Sequence, residues 1–196
     1  MSKDPSTSAP RTTEPSHGFD RTAAAIIDAA AHVFAERGSA TSMGEVAVAA
    51  GVSRATLYRY YPSREALLES LAVHALTDAG ARLADAGLDR APVVEAIERI
   101  ARALIAVGDR YAILVREQVK TDEQEAERLL GAPIRAVFAR GVETGELRDD
   151  LTVEVLLELF GGLLTAAVKL VGDGRLGFEE AAAATATLFL DGANRR

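Results

Sequence analysis

Three of the four tyrosines of this 196-residue chain, Tyr58, Tyr60 and Tyr61, fall within four positions, interleaved with Arg54, Arg59 and Arg64. A guanidinium presents a planar fork of donors that pairs at two points with a guanine edge or a phosphate, and a phenol joins an apolar ring to a hydroxyl. Ala55 and Thr56 complete the run: a small methyl group lets a helix approach a base pair or touch a thymine methyl, and a hydroxyl can bond a phosphate. From Ser42 to Arg64 three arginines stand against the single Glu45, within a chain whose formal charge is −7. Residues 1–80 hold 7 basic and 9 acidic side chains and residues 81–196 hold 15 and 20, so affinity for a polyanion has to come from a local patch. Other chemistry lacks candidates. There is no cysteine, and His17, His32 and His74 lie on separate segments, where each is expected to be a surface or packing residue and not a metal ligand. No nucleophile elbow, phosphate loop or zinc signature occurs, so no catalytic residue, metal or cofactor is expected. The acids of "DEQEAER", Asp122 to Arg128, read as a polar helix start.

The elements that would hold Arg54 to Arg64 are legible. Between Ser42 and Tyr61 two short helices are joined by "AGVS", in which Gly51 can take a positive φ, Val52 can plug the angle between helices and Ser53 can cap the second. Val52 and Leu57 anchor that helix, leaving Arg54, Ala55, Thr56, Arg59 and Tyr60 outward, and Pro62 stops it at Tyr61. Tyr61 is expected in the core. Apolar residues at i, i+3, i+4 and i+7 mark the first of the two short helices at Met43 to Ala50 and predict others at Ile27 to Phe34, Leu68 to Ala75 and Ile97 to Leu104. Gly38 should end the helix that holds Ile27 to Phe34. Pro133 in "GAP" should kink or restart a helix, and Thr152 should cap a long apolar one from Val153 to about Val171. A last helix runs from Phe178 to about Asp191. With no convincing strand, the fold is all-α. Residues 1–19, rich in Pro, Ser and Thr, read as a disordered arm. With no signal-peptide-like segment and no apolar run of bilayer length, a cytoplasmic protein without a membrane partner is expected.

The stretch "TSMGEVAVAAGVSRATLYRYYPSREALLESL", preceded by "IIDAAAHVFAERG", resembles the DNA-binding domain of the tetracycline-repressor (TetR) family of transcriptional regulators. The shared pattern runs through Thr41 and Ser42, Val46 and Ala47, Ala50 to Ser53, Leu57 and Tyr58, Tyr60 and Arg64; Val46, Tyr61 and Arg64 are mild departures. The match covers about Arg21 to Leu71, and the remainder agrees in length and helicity. The resemblance implies a helix-turn-helix domain (20–65) followed by a ligand-binding and dimerisation bundle (66–196). It also implies Ser42, Thr56, Tyr58, Tyr60 and Arg64 at phosphates, with Arg54, Ala55 and Arg59 near bases.

The apolar surface from Leu151 to Val171 is wider than one intramolecular face requires. An interface between two copies is therefore expected from Leu156, Phe160, Leu163 and Ala167 together with Thr185, Leu188 and Phe189. A homodimer would carry two reading heads onto a palindromic double-stranded DNA operator. The expected function is a ligand-responsive regulator, a repressor released by a small hydrophobic or amphipathic effector. The alternative is a helical small-molecule-binding or catalytic protein that keeps the fold without specific DNA binding. Arg110, Tyr111, Arg116 and Gln118 fall where the resemblance puts a pocket, but no residue is assigned to the effector.

Overall fold

In the computed structural model, residues 17–37, 40–108, 110 and 119–194 are described. Among them the one β-type pairing is an isolated antiparallel bridge between Leu147 and Asn194; everything regular is helical. The N-terminal unit is α1 (His17–Arg37), α2 (Met43–Ala49), α3 (Arg54–Tyr60) and the first half of α4 (Arg64–Asp85). Ile26, Ile27, Ala30 and Phe34 form one stripe of α1, and against it close Val46 of α2, Leu57 of α3 and Leu67 and Leu71 of α4. The 3.6-residue periodicity thus marks the buried stripe of each helix. Helix α1 begins at His17, three residues inside the segment whose composition suggested an arm. Residues 1–16, and Gly38, lie outside the described residues.

The C-terminal body comprises α5 (Val93–Ile105), α6 (Glu123–Ala126), a π-helical turn (Glu127–Gly131), α7 (Ala132–Thr144), α8 (Val153–Gly172) and α9 (Phe178–Ala193). A new α-helix restarts at Pro133, as expected: the proline stands in the first turn of α7, directly after the wider π turn in which Ala132 N–H reaches back to Glu127 O, so its ring and missing N–H fall where the regular α-helical ladder is already interrupted. Leu129 of that turn packs on α4 at Gly80. Helix α4 serves both units: Leu67 to Ala75 belong to the first core and Leu83 to the second, so a boundary at 65/66 falls within its first turn.

The second core is centred on Phe138, Phe160 and Phe189, whose ring centroids lie 5.0 to 5.5 Å apart. This corrects the expectation for the dimer helices. Leu156, Phe160 and Ala167 of α8 and Thr185 and Phe189 of α9 are buried within the single chain, and the Thr185 hydroxyl donates to Ala181 O at 2.8 Å. An apolar helix pattern says how much surface must be covered but not which stripe a helix's own neighbours cover. Of the seven expected residues Leu163 is half-buried, and Leu188 stays 65% exposed. Val155, Leu159, Gly162 and Ala166 continue the open face along α8. At 20 residues α8 is also long and apolar enough to cross a bilayer, contrary to the expectation that no run is. Its Leu156, Phe160 and Ala167 stripe is nevertheless spent on the core of this chain.

Candidate nucleic-acid interface

Each helix of the α2–turn–α3 unit is begun by a serine. Ser42 and Glu45 form a reciprocal capping box. The Ser42 hydroxyl accepts from Glu45 N at 3.3 Å and donates to Glu45 Oε2 at 2.8 Å, and Ser42 N donates to the same oxygen at 2.8 Å. Arg37 of α1 pairs with the other carboxylate oxygen. The backbone N–H of Ser42 first, then its hydroxyl, then Arg37, hold the Glu45 carboxyl below the usual carboxylate range. The only acid between Ser42 and Arg64 is thereby engaged. The capping box has a sequence signature, Ser42 followed three residues later by Glu45, by which it can be found from the sequence alone.

At the corner, Gly51 adopts φ 66°, a left-handed conformation in which a Cβ is strained, and Val52 N–H bonds Ala47 O at 3.0 Å to close the turn. Ser53 then caps α3: its hydroxyl accepts from Thr56 N at 3.0 Å and lies 2.9 Å from Thr56 Oγ1. Two turns long, α3 has one fully buried residue, Leu57, which docks it on the first core. It ends at Tyr61 in extended conformation (φ −131°, ψ 94°), as the following Pro62 demands.

Leu57 inward leaves Arg54, Ala55, Tyr58 and Arg59 exposed. These sit at i, i+1, i+4 and i+5, so they share the face opposite Leu57. The Arg59 guanidinium lies 5.4 Å from the ring centroid of Tyr60, which is half-buried. Arg64 is half-buried over Phe34, 4.9 Å from that ring's centroid, which fixes the guanidinium at the head of α4. Tyr58 is 48% exposed, so it stands with the outward residues. Tyr61 is in the core as expected, its hydroxyl donating to Ala23 O at 3.4 Å, and burial, with Tyr60 beside it, pushes its ionisation up so that the proton stays. The hydroxyls of Ser42 and Thr56 both serve helix caps, yet Ser42 remains exposed and Thr56 half-buried.

Sequence reading gave Arg110 no role, yet it links the two units. Its guanidinium meets Asp28 of α1 at 2.8 Å and Asp78 of α4 at 3.5 Å. No local signal announces such a pair, because its members are 82 and 32 positions apart in the chain. Tyr111, Arg116 and Gln118 lie outside the described residues. Among the described residues no group of three or more potential metal ligands converges.

Residues 26–71 match the profile of the bacterial regulatory proteins of the tetR family. The HTH-type transcriptional regulator NfxB of Pseudomonas aeruginosa is 30% identical over 174 residues, 86% of this chain and 92% of its own. The HTH-type transcriptional repressor LfrR of Mycolicibacterium smegmatis is 42% identical over 91 residues, 45% of this chain and 47% of its own. The fold agrees as well: the crystal structure of LfrR in complex with proflavine superposes with a TM-score of 0.73 at 27% identity, covering 90% of this chain and 99% of that one. With an outward α3 on a glycine corner, an all-helical body behind it and a relative matched along nearly its whole length, the chain belongs to the TetR family of transcriptional regulators.

Proposed function

We propose that the protein is a homodimeric repressor that reads a palindromic operator with α3 and is released by a small hydrophobic or amphipathic effector. The exposed face of Arg54, Ala55, Tyr58 and Arg59, free of any acidic neighbour on α3 itself, carries this reading. Arg54, Ala55 and Arg59 are assigned to base edges. Ser42, Thr56, Tyr58, Tyr60 and Arg64 are assigned to phosphates, where they fix the register of the head on the duplex. A short rod with two arginines is a weak polyanion binder by itself, so the dimer is integral to the mechanism. Val155, Leu159, Gly162 and Leu163 of α8 with Leu188 of α9 offer an apolar face of the kind that a second copy covers.

Release follows from linkage. An effector that prefers a dimer whose heads no longer match successive major grooves, about 34–36 Å apart, weakens DNA binding by its preference between the two states. The Arg110 pairs with Asp28 and Asp78 are one physical connection by which the body can bias the head. LfrR, with proflavine in its crystal structure, supports the ligand-responsive part of the reading.

The test is selection of duplexes from a random pool by the full chain, followed by binding of the selected site across a salt series. A recovered inverted repeat, bound with a steep salt dependence and weakened by an apolar effector found in a thermal-shift screen, is the expected result. Equal binding of selected and random duplexes would instead favour a small-molecule-binding protein that retains the fold.

A further inference from the structure

Gly44 lies inside the seven-residue helix α2, where a glycine is a cost that asks for a compensating contact. The contact is with Arg54. A Cβ placed on Gly44 would lie 3.0 Å from both Cζ and Nε of Arg54 and closer still to Nη2, so the guanidinium lies across the Gly44 Cα. The geometry follows from helix stereochemistry. Arg54 is the first residue of α3, and side chains on a helix lean toward its N-terminus, so this one is thrown back across the turn onto α2. Among the described residues the guanidinium makes no hydrogen bond or ion pair. Its stem and one face are thus positioned by the protein while its donors stay unspent.

We propose that Gly44 is a specificity-positioning residue. Its missing side chain is a seat that holds the Arg54 guanidinium in one orientation against α2, and that orientation selects the base pair Arg54 reads. The inference rests on the base-reading role assigned to Arg54 above and adds to it the residue that aims it. Two consequences follow from the contact. An arginine already held loses less rotamer freedom when it binds, and its donor fork reaches the groove from a fixed origin. A methyl at position 44 removes both, because it occupies the guanidinium's place. The group displaced is the end of a flexible, exposed side chain, so the substitution leaves packing intact and replaces the poorest ordinary helix former by the best.

The experiment uses the full 196-residue chain, a duplex selected from random sequence by the wild type, and duplexes carrying each single base-pair change. Arg54→Ala is expected to flatten the preference at one base pair of each half-site by on the order of tenfold. Gly44→Ala is expected to lose most of that same preference, with a thermal midpoint at or above the wild type. The double variant should be no worse than Arg54→Ala, since Gly44 acts only through that side chain. Full wild-type preference in Gly44→Ala, alongside its loss in Arg54→Ala, overturns the seat while leaving the reader in place. A further loss on adding Gly44→Ala to Arg54→Ala also overturns it, since the glycine would then act by another route. Unchanged preference in Arg54→Ala itself overturns the base-reading role, and the seat with it. If Gly44→Ala lowers the midpoint, Gly44→Ser, which fills the same space, must reproduce the loss at the same base pair or the seat is refuted.

Discussion

Substituting Gly51 by alanine isolates the backbone term that aims α3. Gly51 has φ 66°, and a Cβ added there meets nothing within 4 Å, so no steric clash enters the balance. What remains is the cost of left-handed geometry for an L-residue, about 1–2 kcal/mol. It is partly offset by about 0.4–1 kcal/mol because alanine has fewer unfolded conformations to lose than glycine. A net destabilisation of about 1 kcal/mol is expected, or a thermal midpoint lower by about 2–4 °C for a chain of this size. Asparagine, which visits the left-handed region more readily, should recover most of it. Thermal unfolding followed by circular dichroism, at one protomer concentration because dimerisation contributes to the midpoint, gives the stability. Titration with the selected operator should show the same order: wild type, then Asn, then Ala. Identical midpoints for wild type and Ala would refute the reasoning, and equal losses for Asn and Ala would show that handedness is not the cause.

Glu45→Gln should flatten the acid side of the stability profile. Its folded pKa is depressed, so Glu45 stabilises the head above the unfolded carboxylate value of about 4.3 and loses that contribution as pH falls through the lower folded value; urea midpoints between neutral and acid pH check this. Leu159→Glu with Leu188→Glu would bury unpaired carboxylates in the proposed interface at about 3–5 kcal/mol each; sedimentation should report monomers with an intact helical spectrum, and operator binding should fail. For the link between head and body, a double-mutant cycle of Arg110→Ala with Asp28→Asn should give a coupling of about 0.5–1 kcal/mol, because Arg110 is only partly exposed; strict additivity would show that the pair contributes nothing.

Along α1 to α4, and at the start of α8, the chemistry of individual residues was enough to read the structure. Ser53 and Thr152 are caps because a hydroxyl satisfies an orphan N–H wherever the chain leaves extended geometry for a helix; Gly51 is a corner because few residues tolerate φ 66°. Tyr61 is extended because Pro62 follows it, and Phe34, Leu57 and Leu71 are core because each lies on its helix's apolar stripe. All of these are local determinants, settled within one helical turn of the residue concerned. The contacts of residues far apart in sequence were decided otherwise. Whether Phe160 or Leu159 faces inward depends on where Phe138 and Phe189 stand, and Arg110 meets Asp28 only once α1 and the body are assembled. The rest of Arg54 on Gly44 likewise requires α2 and α3 to be fixed at their angle first. Periodicity and capping act through bonds made within a few residues and can be read along the chain. The choice among several apolar stripes, and the pairing of charges between helices, is made by the packing of the whole.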